Sequence, residues 1–142
     1  MPHLHWLAWA LLSALFAGLT AVLAKVGVAD VNSHLATAIR TTFILGITWL
    51  IAALTMKSGD IAAISRRTWI FLALSAVATG LSWLCYFRAL QLGEVSKVAP
   101  IDKLSVVVAI ALSLLFLGEK MSARESVGAG LMVTGALMLA WK

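Results

Sequence analysis

Charge is scarce in this chain. Asp, Glu, Lys and Arg make up 12% of its 142 residues, and only six of these are acidic. A soluble domain carries about 25% charged and about 45–50% apolar residues; here 62% are hydrophobic and the mean hydropathy is +1.00. Cys85 is the one cysteine, which excludes an internal disulfide and a cysteine-built metal site. Set in an apolar run, it reads as a buried, inert thiol. No His-Glu-x-x-His, Gly-x-Ser-x-Gly, Walker or Cys-x-x-Cys pattern occurs. His3, His5 and His34 stand at predicted helix ends with no spacing that gathers ligands. No metal, no cofactor and no enzymatic activity is therefore expected, since no nucleophile–base or metal constellation is present. No acid lies centrally in a predicted helix, so a carboxylate relay deep in a bilayer is excluded as well. The first residues lack Lys and Arg, and the apolar run behind them exceeds the roughly 7–15 residues of a signal core, so a cleavable signal is not expected.

What is present is length of apolar run. His5–Ala24, Thr68–Phe87, Leu104–Gly118 and Ser126–Trp141 contain no charged residue, and His34–Met56 contains only Arg40. About 18 apolar residues suffice to cross a hydrocarbon core of about 30 Å as a helix, and the two shorter runs reach that length with a flanking turn. Barrel strands would alternate in polarity every second residue, and no such alternation is seen. Helices remain as the way to satisfy each backbone group in lipid. The expectation is an all-α polytopic membrane protein with five transmembrane helices, at about 5–26, 34–56, 68–92, 96–118 and 124–141. These form a single domain over 1–142, because five spans of about 20 residues leave roughly 40 for everything else. The net charge of +5 reads as juxtamembrane Lys and Arg facing lipid head groups, not as a nucleic-acid site.

The gaps carry turn and cap chemistry: Asp30 and Asn32 after the first helix, Gly59 and Asp60 with Arg66-Arg67 after the second, Gly93 after the third, a short charged stretch Glu119–Glu125 before the fifth. Pro100 falls in the first turns of the fourth helix, where proline is tolerated. Trp6 and Trp9, and the pair Trp141-Lys142, look like interfacial anchors. Ala10, Ser13, Ala17, Ala21 and Ala24 form a small-residue face on the first helix. Ser126, Gly130 and Thr134 do the same on the last, and such faces permit close helix approach in lipid.

With alternating helix directions, Lys25, Arg40, Tyr86, Arg88, Lys97, Asp102 and Lys103 fall at one membrane face. Arg40, Asp102 and Lys103 lie some distance into their predicted helices. Intramembrane charge costs at least about 2.5–3.5 kcal/mol by insertion scales, so such residues usually face protein or water. They are candidate vestibule charges, against the alternative that Arg40 and Lys103 snorkel to the interface. On the third helix Ser75, Thr79, Ser82 and Tyr86 recur at i, i+4, i+7 and i+11 as one polar stripe, with Trp83 beside it. These five are candidates for a substrate path. Thr37, Thr41 and Thr48 make a similar line on the second helix. Hydrogen-bonding glue between helices is the alternative for both lines.

The segment Tyr86–Ser122, YFRALQLGEVSKVAPIDKLSVVVAIALSLLFLGEKMS, resembles the EamA-type members of the drug/metabolite transporter superfamily. Their repeat ends its third helix in an aromatic-x-x-Ala-Leu pattern, opens the fourth with Val-Ala-Pro and closes it with Leu-Gly-Glu, here Leu117, Gly118 and Glu119. Trp9–Lys25 and Ile39-Arg40-Thr41 look like the same repeat, so the resemblance covers essentially the whole chain. It is closest to the small single-repeat, five-helix bacterial and archaeal members. It implies a secondary transporter or exporter of small metabolites in the cytoplasmic (inner) cell membrane, built from ten helices per working unit. This chain would be half of that inverted-repeat unit, paired as a homodimer or with a homologous five-helix partner. The four-helix multidrug branch carries a membrane-embedded glutamate in its first helix; here that helix has no acid, which speaks against carboxylate-based exchange.

The cations divide almost evenly. Lys57, Arg66, Arg67, Lys120 and Arg124 fall on one predicted face; Lys25, Arg40, Arg88, Lys97, Lys103 and Lys142 fall on the other. The excess that normally orients a membrane protein is nearly absent, which suits insertion in both orientations and an antiparallel dimer. Two other readings stand beside a carrier of a small polar or amphipathic solute. One is a flippase-like subunit using the basic face for a lipid-linked anion; the other is a non-transporting membrane subunit.

Overall fold

The computed structural model describes the backbone of residues 3–57 and 59–141 and the side chains of 6–57 and 59–141. His3, His5 and the expected anchor Lys142 lie outside the described side chains. Six α-helices follow in order: α1 His3–Gly27, α2 Ser33–Thr55, α3 Arg66–Leu92, α4 Val95–Asp102, α5 Ser105–Leu112 and α6 Ala123–Ala140, with a π-helical turn, Ser113–Leu117, continuing α5. No strand occurs among the described residues. Four spans are long and apolar enough to cross a membrane: Trp6–Gly27, Ser33–Thr55, Arg66–Leu92 and Val95–Leu117. The fifth helix, α6, is 18 residues long and spends its first turn on Arg124 and Glu125. The protein is a small all-α polytopic membrane protein.

The chain divides into two contact units, Val26–Gln91 on the one hand and Met1–Lys25 with Leu92–Lys142 on the other. In the first, Asn32 starts α2 by accepting at Oδ1 from the N–H groups of His34 and Leu35, at 2.9 and 3.3 Å. Two of the orphan donors of the first turn are thereby satisfied. Arg66 and Arg67, expected in the preceding loop, form the first turn of α3. Ser65 takes the capping role there, accepting from Thr68 N–H at 3.1 Å. The unit closes through Gln91 near the end of α3, whose Nε2 donates to the carbonyls of Val28 and Val31 at 2.9 and 2.6 Å. This tie sets the end of α3 level with the start of α2. The buried residues of the unit fall there too: Val28, Ser33, Thr37, Phe87 and Leu90.

In the second unit the fourth span is assembled from three helical pieces rather than one helix over 96–118. Pro100 has no N–H, so the Ser96 carbonyl loses its i+4 donor. After it the chain tightens to i→i+3 bonding: Lys103 N–H donates to the Pro100 carbonyl at 3.1 Å, Leu104 to Ile101 at 3.0 Å, and Val106 to Lys103 at 3.0 Å. Such tight turns mark an interruption. Asp102 and Lys103 therefore sit at a helix junction, not within a continuous helix. The π turn ends at Gly118, whose φ of +66° is open to glycine and strained for other residues. Its N–H donates to the Ser113 carbonyl.

Ser122 and Glu125 form a reciprocal cap on α6: Glu125 N–H donates to Ser122 Oγ at 3.3 Å, and Ser122 N–H to Glu125 Oε2 at 2.7 Å. Glu125 thus belongs to a helix start rather than a loop. The pattern Ser-x-x-Glu was available in the sequence as its signal.

α4 packs on α6, and α5 touches it. The face of α6 with reduced exposure carries Ala129, Val133, Ala136 and Ala140, while Ser126, Gly130 and Thr134 are exposed. The small-residue stripe read from the sequence is thus turned away from contacts within the chain. On α1 the small-residue face is buried only at Ala21 and Ala24; Ala10, Ser13 and Ala17 are exposed.

Candidate functional site

The α2–α3 unit brings three of the candidate residues together. The Arg40 guanidinium carbon lies 4.5 Å from the centroid of the Trp83 ring and 5.4 Å from that of Phe87. Tyr86 stands within electrostatic reach of it. Trp83 and Phe87 are one turn apart on α3, so both rings share a face. Phe87 was absent from the expected path; the i, i+4 aromatic pair was its signal in the sequence. A cation over an aromatic face is worth about 0.5–2 kcal/mol depending on desolvation, a partial offset to placing Arg40 among apolar residues.

Depth decides between a held and a snorkelling Arg40. Arg40 lies seven residues past Ser33, about 10 Å along α2 at about 1.5 Å per residue. Trp83 lies nine residues before Leu92, about 13–14 Å from the end of α3, and Phe87 five residues, about 7–8 Å. With the two helix ends held level by Gln91, the guanidinium is nearer the deeper ring. A side chain reaching for the interface would point the other way.

Four other described cations of that predicted face each have an oxygen partner. Lys25 Nζ donates to the Gly93 carbonyl at 2.8 Å, and Arg88 to Gln91 Oε1 at 3.0 Å. Lys97 pairs with Glu94 at 2.9 Å and Lys103 with Asp102 at 3.3 Å. The Lys97 hydrogen bond and charge hold the exposed Glu94 carboxyl below its ordinary pKa. Among the described residues, Arg40 alone of these five makes no hydrogen bond or ion pair. The Asp102–Lys103 pair joins neighbours at a helix junction, with 32% and 56% of the two side chains exposed. Pairs this exposed are worth about 0–1 kcal/mol, well below what a charge pair buried in an unbroken helix would represent.

The polar stripe of α3 is only partly drawn into contacts. Trp83 and Tyr86 are half-buried, whereas Ser75, Thr79 and Ser82 are exposed within the chain. Thr79 Oγ1 donates to the Ser75 carbonyl at 2.9 Å. On α2, Thr37, Thr41 and Thr48 likewise donate back to carbonyls one turn earlier, each at 2.8 Å. These hydroxyls bond within their own helices, so the hydrogen-bonding-glue alternative finds no cross-helix bond from them inside the chain. Such back-bonding leaves the hydroxyl oxygen able to accept. Cys85, expected to be buried, is exposed on α3. No group of three or more His, Cys, Asp or Glu side chains able to hold a metal occurs among the described residues.

Comparison with known proteins agrees with this architecture. A protein of Sinorhizobium sp named "Uncharacterized transporter in cobO 3'region" is 54% identical over 135 residues, covering 95% of this chain and 96% of that protein. No solved structure matches the chain. The model of the EamA-like transporter family matches residues 4–141. Four helices long and apolar enough to cross a membrane, a fifth helix of 18 residues, a relative named as a transporter and a family match over nearly the whole length lead to one conclusion: the chain belongs to the EamA-like transporter family and is a polytopic membrane transporter, not an enzyme.

Proposed function

We propose that the chain is a half-transporter: one five-helix repeat that pairs with a second copy in the opposite orientation, or with a homologous five-helix chain. The pair moves a small polar or amphipathic metabolite across the cytoplasmic membrane as a secondary transporter. The observation that carries this reading is the exposure of the Ser75, Thr79 and Ser82 line on α3. Polar groups on a membrane helix ordinarily face protein or a water-filled cavity, and these three are left exposed by the described residues. The outward small-residue face of α6, Ser126, Gly130 and Thr134, is the kind of surface along which a second helix approaches closely. An odd number of spans adds a geometric reason. Two five-helix repeats in sequence are necessarily inverted, which supports alternating access in many transporters, and a single repeat reproduces that only with an oppositely inserted partner. In this reading Ser75, Thr79, Ser82, Trp83 and Tyr86 line the path. Arg40, and separately the Asp102–Lys103 pair, set the charge a solute meets.

Single-cysteine labelling tests the assembly. In a Cys85→Ser background, Lys57→Cys is probed in intact cells with an impermeant thiol reagent. Dual insertion predicts labelling of about half the molecules. All-or-none labelling without a co-purifying homologous chain would defeat the antiparallel homodimer.

A further inference from the structure

We propose that Arg40 is an oxyanion-binding site: the guanidinium held over Trp83 and Phe87 takes the carboxylate or phosphate group of a small organic anion. The inference deepens the transport reading by naming the chemical class of the substrate, and it rests on that reading for the ligand's passage but not for its binding.

An arginine has five N–H donors in a rigid fork and no acceptor. In Arg40 none of the five meets a protein oxygen among the described residues, while Lys25, Arg88, Lys97 and Lys103 all do. Within the Val26–Gln91 unit the charge has no ion-pair partner either. The acids of the Val26–Gln91 unit are Asp30 and Asp60. Asp60 lies beyond the far end of α2, where its Oδ2 accepts from Lys57 N–H at 2.8 Å. Asp30 is exposed in the link before α2 and makes no ion pair with Arg40.

The other titratable groups flanking this end of the unit are His34 and Arg88, both exposed, with Tyr86 beside Arg40. None of them is a carboxylate. Water could satisfy the donors, but it would leave the charge. An oxyanion satisfies both, through the paired hydrogen bonds for which the guanidinium fork is suited.

The rings keep the fork from leaving. Contact with Trp83, the deeper ring, holds the guanidinium below the level of the Gln91 tie. The outcome is a cation held in depth, stacked on aromatic carbon and open to an anion that comes to it.

The test uses the full chain in nanodiscs of neutral phosphatidylcholine, titrated at constant ionic strength with inorganic phosphate or with succinate. Two quantities are read: the melting temperature, and the tryptophan fluorescence change that Trp83→Phe abolishes. At least one of these anions should raise the melting temperature and move the Trp83 signal. Arg40→Gln should weaken that affinity by roughly tenfold or more, as for the loss of a hydrogen bond to a charged group. Arg40→Lys keeps the charge without the fork and should recover only part of it.

A second arm replaces part of the lipid with phosphatidylglycerol. If the Trp83 signal is already shifted there in an Arg40-dependent way and soluble anions no longer titrate, the oxyanion is a lipid phosphate, and the site stands with that source. No Trp83 response in any arm, or an equal response in Arg40→Gln, overturns the site. Should Arg40→Gln fail to fold, the wild-type Trp83 signal and Arg40→Lys decide, and full affinity in Arg40→Lys overturns the bidentate contact.

Flux into proteoliposomes separates the two readings. Transport of a neutral or cationic solute without Arg40-dependent anion binding leaves the transporter standing and removes the anion site. Arg40-dependent binding without flux of any solute does the reverse.

Discussion

The two parts of α3 live in different surroundings. From Arg66 to Ser82 every residue except Gly80 is exposed within the chain, apolar and polar alike. From Trp83 to Gln91 the helix supplies the buried Phe87 and Leu90, the rings over which Arg40 lies, and the tie to Val28 and Val31. Both parts are helical and apolar, so composition does not separate them. The second part has a fixed set of neighbours in its own chain. The first has no buried residue, and in a bilayer most of its surface meets lipid or another protein. Three of its residues, Ser75, Thr79 and Ser82, are poorly suited to lipid. The first part is where assembly and solute should be felt; the second is where stability should be felt.

The largest expected effect is at Leu90, which is 0% exposed. Leu90→Ala should destabilise the purified protein by about 2–5 kcal/mol, the range for a buried leucine. Leu81→Ala, at a residue 60% exposed, should cost less than about 0.5 kcal/mol. Melting in one detergent compares the pair; equal losses would break the distinction between the two parts of α3.

A smaller loss is expected from Gln91→Leu. It leaves the Val28 and Val31 carbonyls without their donor, at about 1–3 kcal/mol for unsatisfied groups. It should also loosen the alignment of α2 with α3, so the Trp83 fluorescence should shift towards that of the Arg40→Gln protein. A Gln91→Leu protein that melts lower with Trp83 unmoved would show that the tie does not set the depth of Arg40.

The smallest change in stability is expected at Thr79→Val, within about 0.5 kcal/mol for an exposed site, since the lost bond is only to the carbonyl of Ser75 in the same helix. Its effect should appear instead in transport or in crosslinking between chains. Unchanged flux together with unchanged crosslinking would return the stripe to an inert surface.

Much of this was legible in the residues. Apolar length against sparse charge is a strong signal, because an unpaired backbone amide or a stray charge is costly in lipid. Helix stops at Gly93 and Gly118 and the start at Asn32 follow from local backbone chemistry. The division of the fourth span at Lys103-Leu104 was harder to read, since one proline is compatible both with a continuous helix start and with a tightened junction three residues later. Asp102 and Lys103 looked as if set in a continuous helix for that reason, and the junction leaves them as a half-exposed neighbour pair within the fourth span. The outward turn of Ser126, Gly130 and Thr134 was also out of reach: a small-residue stripe says that close approach is allowed, not which helix makes it.

The sequence by itself determined that the chain is helical, that it spans a membrane and that it has no reactive constellation. These follow from composition and from period, which are properties of each segment alone. The tertiary structure decided which of five described cations predicted for one face is left without an oxygen partner. Lys25, Arg40, Arg88, Lys97 and Lys103 are alike as charges in the sequence. Four of them find an oxygen, while the fifth lies over Trp83 and Phe87. Whether a donor meets an acceptor depends on distances between residues far apart in the chain, and the link from Val28 and Val31 to Gln91, some 60 residues later, is what sets them.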